Sequence, residues 1–82
     1  MTPAGARRLV VPQPARVLAG PGGRPIEVNG HEIVAVRESW LIEDRWWTGQ
    51  PLRRRSWEVV TIDGRDLVVF RDLVDGRWRR QR

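Results

Sequence analysis

The sequence predicts an all-β domain: about six antiparallel strands in meander order, curled into a small barrel or a strongly twisted sheet. Three observations predict it. Asn29-Gly30, Asp63-Gly64 and Asp75-Gly76 are pairs that tolerate positive φ at both centres of a type I′ turn, whose twist matches a β-hairpin. The segments between these pairs are short and alternate apolar with polar residues. None of them sustains an apolar period near 3.6.

The elements follow in order. Residues 1–13, broken by Pro3, Gly5 and Pro12, read as a flexible basic tail, and residues 14–82 as the single small β domain. Ala15–Ala19 and Pro25–Val28 are short strands on either side of the Gly20-Pro21-Gly22-Gly23 corner; Ile26 and Val28 alternate with Glu27. His31–Ile42 is a long strand with Val34, Val36, Trp40 and Ile42 in one phase and Glu38 as the polar exception, so a bulge is expected near Glu38 and Ser39. Trp40, Glu43, Asp44 and Trp47 also have helical spacing, but the hairpins around them favour strand followed by loop. Leu52–Ile62 and Arg65–Leu73 form the Asp63-Gly64 hairpin. The second of these is apolar on both faces from Leu67 to Phe70, as a central strand covered on both sides would be. Arg77–Gln81 alternates Trp78 with arginines and reads as a charged edge strand.

The 82 residues allow one domain and a modest core. The chain has no cysteine, which excludes disulfides, thiolate catalysis and cysteine-based metal sites. No apolar run approaches the roughly 18 residues of a membrane span, and the N-terminus lacks a signal-peptide pattern, so a cytoplasmic location without membrane association is expected. His31 is the single histidine and follows a turn; Ser39 and Ser56 have only that base to recruit. Glu38, Glu43 and Asp44 are expected to pair with Arg37 or Arg45 on the surface and not to hold a divalent metal cation. With no lysine and no tyrosine, no catalytic constellation, metal site or cofactor loop can be assembled, and a non-enzyme is expected.

The net charge of +5 is carried by the two ends: residues 27–76 hold all ten carboxylates and seven of the fifteen arginines. An exception inside the acidic body is Arg53-Arg54-Arg55, whose outer two side chains would share one strand face while the middle one takes the other. Five tryptophans are many for this length. Trp40, Trp57 and Trp78 are expected in the core, whereas the neighbours Trp46 and Trp47 cannot both face inward on an extended chain. An exposed indole beside Arg45 and the Arg53–Arg55 run suits arginine stacking within the fold, a protein-interface hot spot, or base stacking on nucleic acid.

The string Asp44-Arg45-Trp46-Trp47, Pro51-Leu52-Arg53-Arg54-Arg55, Val59, Asp63-Gly64, Leu67, Phe70-Arg71-Asp72, Gly76-Arg77-Trp78 resembles the C-terminal region of ImuB-type, Y-family DNA polymerase homologues. It is also similar to a short stand-alone actinobacterial family with the same pattern. The likeness spans about residues 38–80, and Ala15–Val36 resembles only the stand-alone family. It implies association with DNA repair and translesion synthesis, as a catalytically inert adaptor among protein components of a polymerase complex. No palm or fingers segment is present, so no polymerase activity is implied, and Arg79-Arg80-Gln81-Arg82 departs from the apolar ending usual in the family. Residue by residue, the resemblance points to Trp46, Trp47, Arg53, Arg54, Arg71, Asp72 and Trp78. Combined with the residue chemistry, the candidate binding set is Arg45, Trp46, Trp47, Arg53, Arg54, Arg55, Arg71 and Trp78. Its expected partner is a protein of a polymerase or repair assembly. Direct binding of single-stranded or duplex DNA through the basic ends and Arg53–Arg55 is the alternative, and self-association through an exposed strand edge is the third.

Overall fold

The computed structural model describes residues 11–44 and 52–81. Seven strands, β1 (Gln13–Pro14), β2 (Val17–Ala19), β3 (Pro25–Val28), β4 (His31–Asp44), β5 (Leu52–Thr61), β6 (Asp66–Asp72) and β7 (Trp78–Arg80), form one antiparallel sheet in the order β1-β7-β6-β5-β4-β3-β2. The sheet curls into a half-barrel. Its two ends are consecutive pieces of chain: β1 pairs with β7, and after only Ala15 and Arg16 the chain pairs with β3 as β2. Ala15 N–H still donates to Trp78 O on one side (3.1 Å), while Arg16 O already accepts from Asn29 N–H on the other (2.7 Å). The wall opens elsewhere. β3 pairs with β4 only at Glu27↔Glu32 and Val28↔His31, and beyond those residues the two strands part.

Two register shifts in β4, between Ile33 and Ala35 and between Val36 and Glu38, account for that parting, because each extra residue bends the strand and adds twist. The expected bulge therefore lies slightly earlier than Ser39. It also moves Val36 out of phase with Trp40 and Ile42. Trp40, expected in the core, is half-buried on the reverse face, paired with Ser56.

The core lies on the inner face of the curl. Val28, Trp57, Val59, Leu67 and Val69 pack together, with Val17, Ile33 and Trp78 against them. Trp57 and Trp78 meet at 5.2 Å between ring centroids, tilted by 34°. β6 is buried from Leu67 to Phe70, as a strand covered on both faces must be. β7, expected at an edge, has β6 on one side and β1 on the other, because Gln13 and Pro14 supply partners that the sequence reading placed in or beside the tail.

Of the three turn pairs, only Asn29-Gly30 has positive φ at both residues (51° and 87°). At Asp63-Gly64 only the glycine is left-handed. Thr61 N–H donates to Arg65 O (2.9 Å), so residues 62–64 form a longer loop than the expected two-residue turn. At Asp75-Gly76 the glycine N–H reaches back to Asp72 O (2.7 Å), closing a wider loop again.

Candidate functional site

The site follows from the register of β5 and β6. From the turn outward, the inner-face pairs across this hairpin are Val59↔Leu67, Trp57↔Val69 and Arg55↔Arg71. Leu73 N–H then donates to Arg53 O (2.8 Å), which continues the ladder past the end of β6. The apolar core thus gives way, within one strand repeat, to cations. Arg53, Arg55 and Arg71 line an open depression of about 360 Å³ together with Leu41, Trp57, Leu73 and the Gly22-Gly23 corner of the β2–β3 connection. Gly22 and Gly23 both have positive φ (76° and 82°), a conformation that suits glycine and leaves the mouth without a side chain on that side.

The charges in this depression are unevenly matched. Arg53 Nε donates to Glu43 Oε2 (2.9 Å) in a half-exposed pair of the kind worth about 0–1 kcal/mol. Arg71 Nε donates to the carbonyl of Gly76 (3.3 Å), which anchors the guanidinium without neutralising it. Among the described residues, neither Arg55 nor Arg71 has a carboxylate partner, although they face each other directly across the ladder. Like charges opposite one another destabilise a sheet, and a bound anion would remove that repulsion. Planar guanidinium forks are suited to carboxylate and phosphate.

Three other arginines, Arg54, Arg79 and Arg37, are engaged in the fold. Arg54, in the middle of the run, takes the reverse face as expected and lies 4.4 Å over the ring of Phe70. Its Nε is sealed from solvent without an acceptor. Arg79 pairs with Asp75 (3.3 Å) and Asp72 (3.7 Å), and Arg37 with Asp66 (3.0 Å). The surface pairing of Glu43 and Arg37 thus differs from expectation: Glu43 takes its cross-strand neighbour Arg53 on β5, and Arg37 reaches over β5 to Asp66 on β6.

Two carboxylates have lowered pKa values. Asp75 is held below its ordinary 3.8 chiefly by a hydrogen bond from Arg77 N–H, with Arg79 adding to it. Asp63 is lowered chiefly by the hydroxyl of Thr61, whose oxygen also accepts from Arg65 N–H. Both act in turns and lie away from the depression.

Arg53, Arg55 and Arg71 of the candidate set therefore converge, and Trp78 supports them by packing on Trp57 below. Arg54 and Asp72 belong to the reverse face. Arg45, Trp46 and Trp47 lie outside the described residues. Sequence reasoning missed Leu41, Leu73 and the glycine corner; the equal spacing of Leu41 and Arg55 from the 45–51 connection was the available signal for the first. No family model, curated protein or solved structure matches the chain. Among the described residues, no helix is long and apolar enough to cross a membrane.

Proposed function

We propose that this protein is a non-catalytic interaction module that binds an acidic segment of a partner protein in the Arg53/Arg55/Arg71 depression. The observation that carries the reading is the direct opposition of Arg55 and Arg71, uncompensated by any described carboxylate, at the end of an otherwise apolar inner face. Leu41 and Leu73, both about two-fifths exposed, give the rim an apolar component that a peptide uses and a bare phosphate does not. Trp57 is only 8% exposed and Trp78 packs against it, so these two indoles support the depression from below and do not offer a base-stacking platform. That favours peptide over single-stranded nucleic acid. The resemblance to ImuB-type proteins supplies the biological setting: a component of a DNA-repair or translesion-synthesis complex.

Trp57 reports on the site. An acidic peptide titrated against the protein should change its tryptophan emission saturably, with affinity falling as salt rises. The double variant Arg55→Ser/Arg71→Ser, which removes two charge-assisted contacts, should bind at least about tenfold more weakly while keeping its fold. Equal binding by the double variant would reject this site. An oligonucleotide of matched charge that binds tighter, with a slope of roughly −0.7 in log K against log salt per phosphate contacted, would move the assignment to nucleic acid.

A further inference from the structure

We infer that the partner segment binds as an added β-strand along the outer edge of β4, over residues 37–44, placing acidic side chains on its inner-facing positions. This inference rests on the reading above and goes further, because it fixes the conformation and sequence pattern of the ligand. β4 is paired with β5 from Ile33 to Asp44 but with β3 only at His31 and Glu32. Between the parting strands, Arg24, Pro25 and Ile26 face Ile33–Val36 across a gap of about 110 Å³. Past Val36, no described strand lies on that side. Among the described residues, none pairs with the outer amides and carbonyls from Arg37 to Asp44, and such an edge is the template on which extended peptides add to a sheet.

The protection of this edge is confined to its two ends, where the Val36/Glu38 bulge, Arg37 and Glu38 lie on one side and Glu43 and Asp44 on the other. Residues 37–44 contain no proline and no lysine, and the middle of the stretch, Ser39-Trp40-Leu41-Ile42, is uncharged. The two faces of the edge differ. Leu41 borders the arginine depression on the inner face. Trp40 and Ile42, half-buried, lie on the reverse face. An added strand alternates its side chains in the same way. Its inner-facing residues beside Leu41 point toward Arg55, which pairs with Leu41 from the other side, and its reverse-facing residues lie beside Trp40 and Ile42. The ligand is accordingly an extended segment alternating acidic with apolar residues. A second copy of β4 is a poorer occupant, since its one inner-facing carboxylate in this stretch, Glu43, is already engaged by Arg53 of its own chain.

A synthetic peptide alternating glutamate and valine, about eight residues long to match the edge, tests this with the full chain. Two further peptides carry N-methyl groups on one or the other alternate set of amides; these keep the charge but remove the donors from one edge. The unmodified peptide should bind and slow amide exchange at alternate residues of 37–44, and one methylated peptide should bind at least about tenfold more weakly. Equal binding by all three, still lost in Arg55→Ser/Arg71→Ser, overturns strand addition and leaves charge capture standing. Binding of the unmodified peptide that ignores the double variant overturns the arginine reading instead. Failure of all three to bind overturns both. Sedimentation showing a dimer that the peptide competes apart would reassign the edge to a second copy.

Discussion

The inner and reverse faces of the β5–β6 hairpin use the same residue type to opposite ends. On the reverse face, Arg54 covers the Phe70 ring and Arg79 sits between Asp72 and Asp75, so each guanidinium has a partner within the fold. On the inner face, Arg55 opposes Arg71 and no described carboxylate lies between them. Arginines one residue apart in sequence thus contribute to different things: Arg54 to burial of an aromatic ring, Arg55 to an unneutralised field at the surface. What separates them is strand alternation, and the contrast shows why composition alone is a poor guide to binding surface.

The comparison can be broken most forcefully at Phe70, which is 3% exposed. Phe70→Ala should cost about 3–5 kcal/mol, a large part of what so small a domain possesses, and urea denaturation should show the chain largely unfolded. Arg54→Met keeps the apolar stem over the ring and removes the sealed, unpaired Nε along with the cation–π contact. The two effects oppose, so stability should stay within about 1 kcal/mol of the parent by the same measurement.

On the inner face the sign should reverse. Arg71→Gln removes the like-charge opposition and should raise stability by about 0.5 kcal/mol at low salt, with the gain shrinking as salt is added, while affinity for the acidic peptide falls. A loss of stability that salt does not alter would show that Arg71 is already compensated. The smallest effect is acid-dependent. Asp75 has a folded pKa below its ordinary 3.8, so its contribution is fully present above that value and disappears as pH falls through the lower folded one. Asp75→Asn should therefore be slightly less stable than the parent near neutrality. It should also lose less between about pH 5 and about pH 2 in urea titrations.

Much of the fold was legible in the chain. Pro25–Val28 matches its expected bounds, and the long strands lie within a residue or two of theirs, because turn residues and period-2 alternation both report on local backbone. The inner–reverse split of Arg53–Arg55 was legible for the same reason. The opposition of Arg55 and Arg71 was not. A two-residue turn at Asp63-Gly64 would have placed Arg55 opposite Asp72, an ordinary ion pair; the longer loop over 62–64 shifts the register by one and sets Arg55 against Arg71. The two-residue turn needs a left-handed Asp63 and the longer loop does not, and an Asp-Gly pair accepts either. The phase break at Glu38 announced one bulge of β4; the other, between Ile33 and Ala35, and the short partner at Gln13–Pro14 were hidden, since each depends on strands distant in sequence.

The splice of β1 and β2 has a consequence for how the molecule is made. Segment 13–19 meets β3, which follows at once in sequence, on one side, and on the other Trp78–Arg80, which follows only after β4, β5 and β6. A chain interrupted before Trp78 would have its amino-terminal strand seated on one flank alone. Closure of the sheet on that flank is thereby deferred until β4, β5 and β6 have all been made.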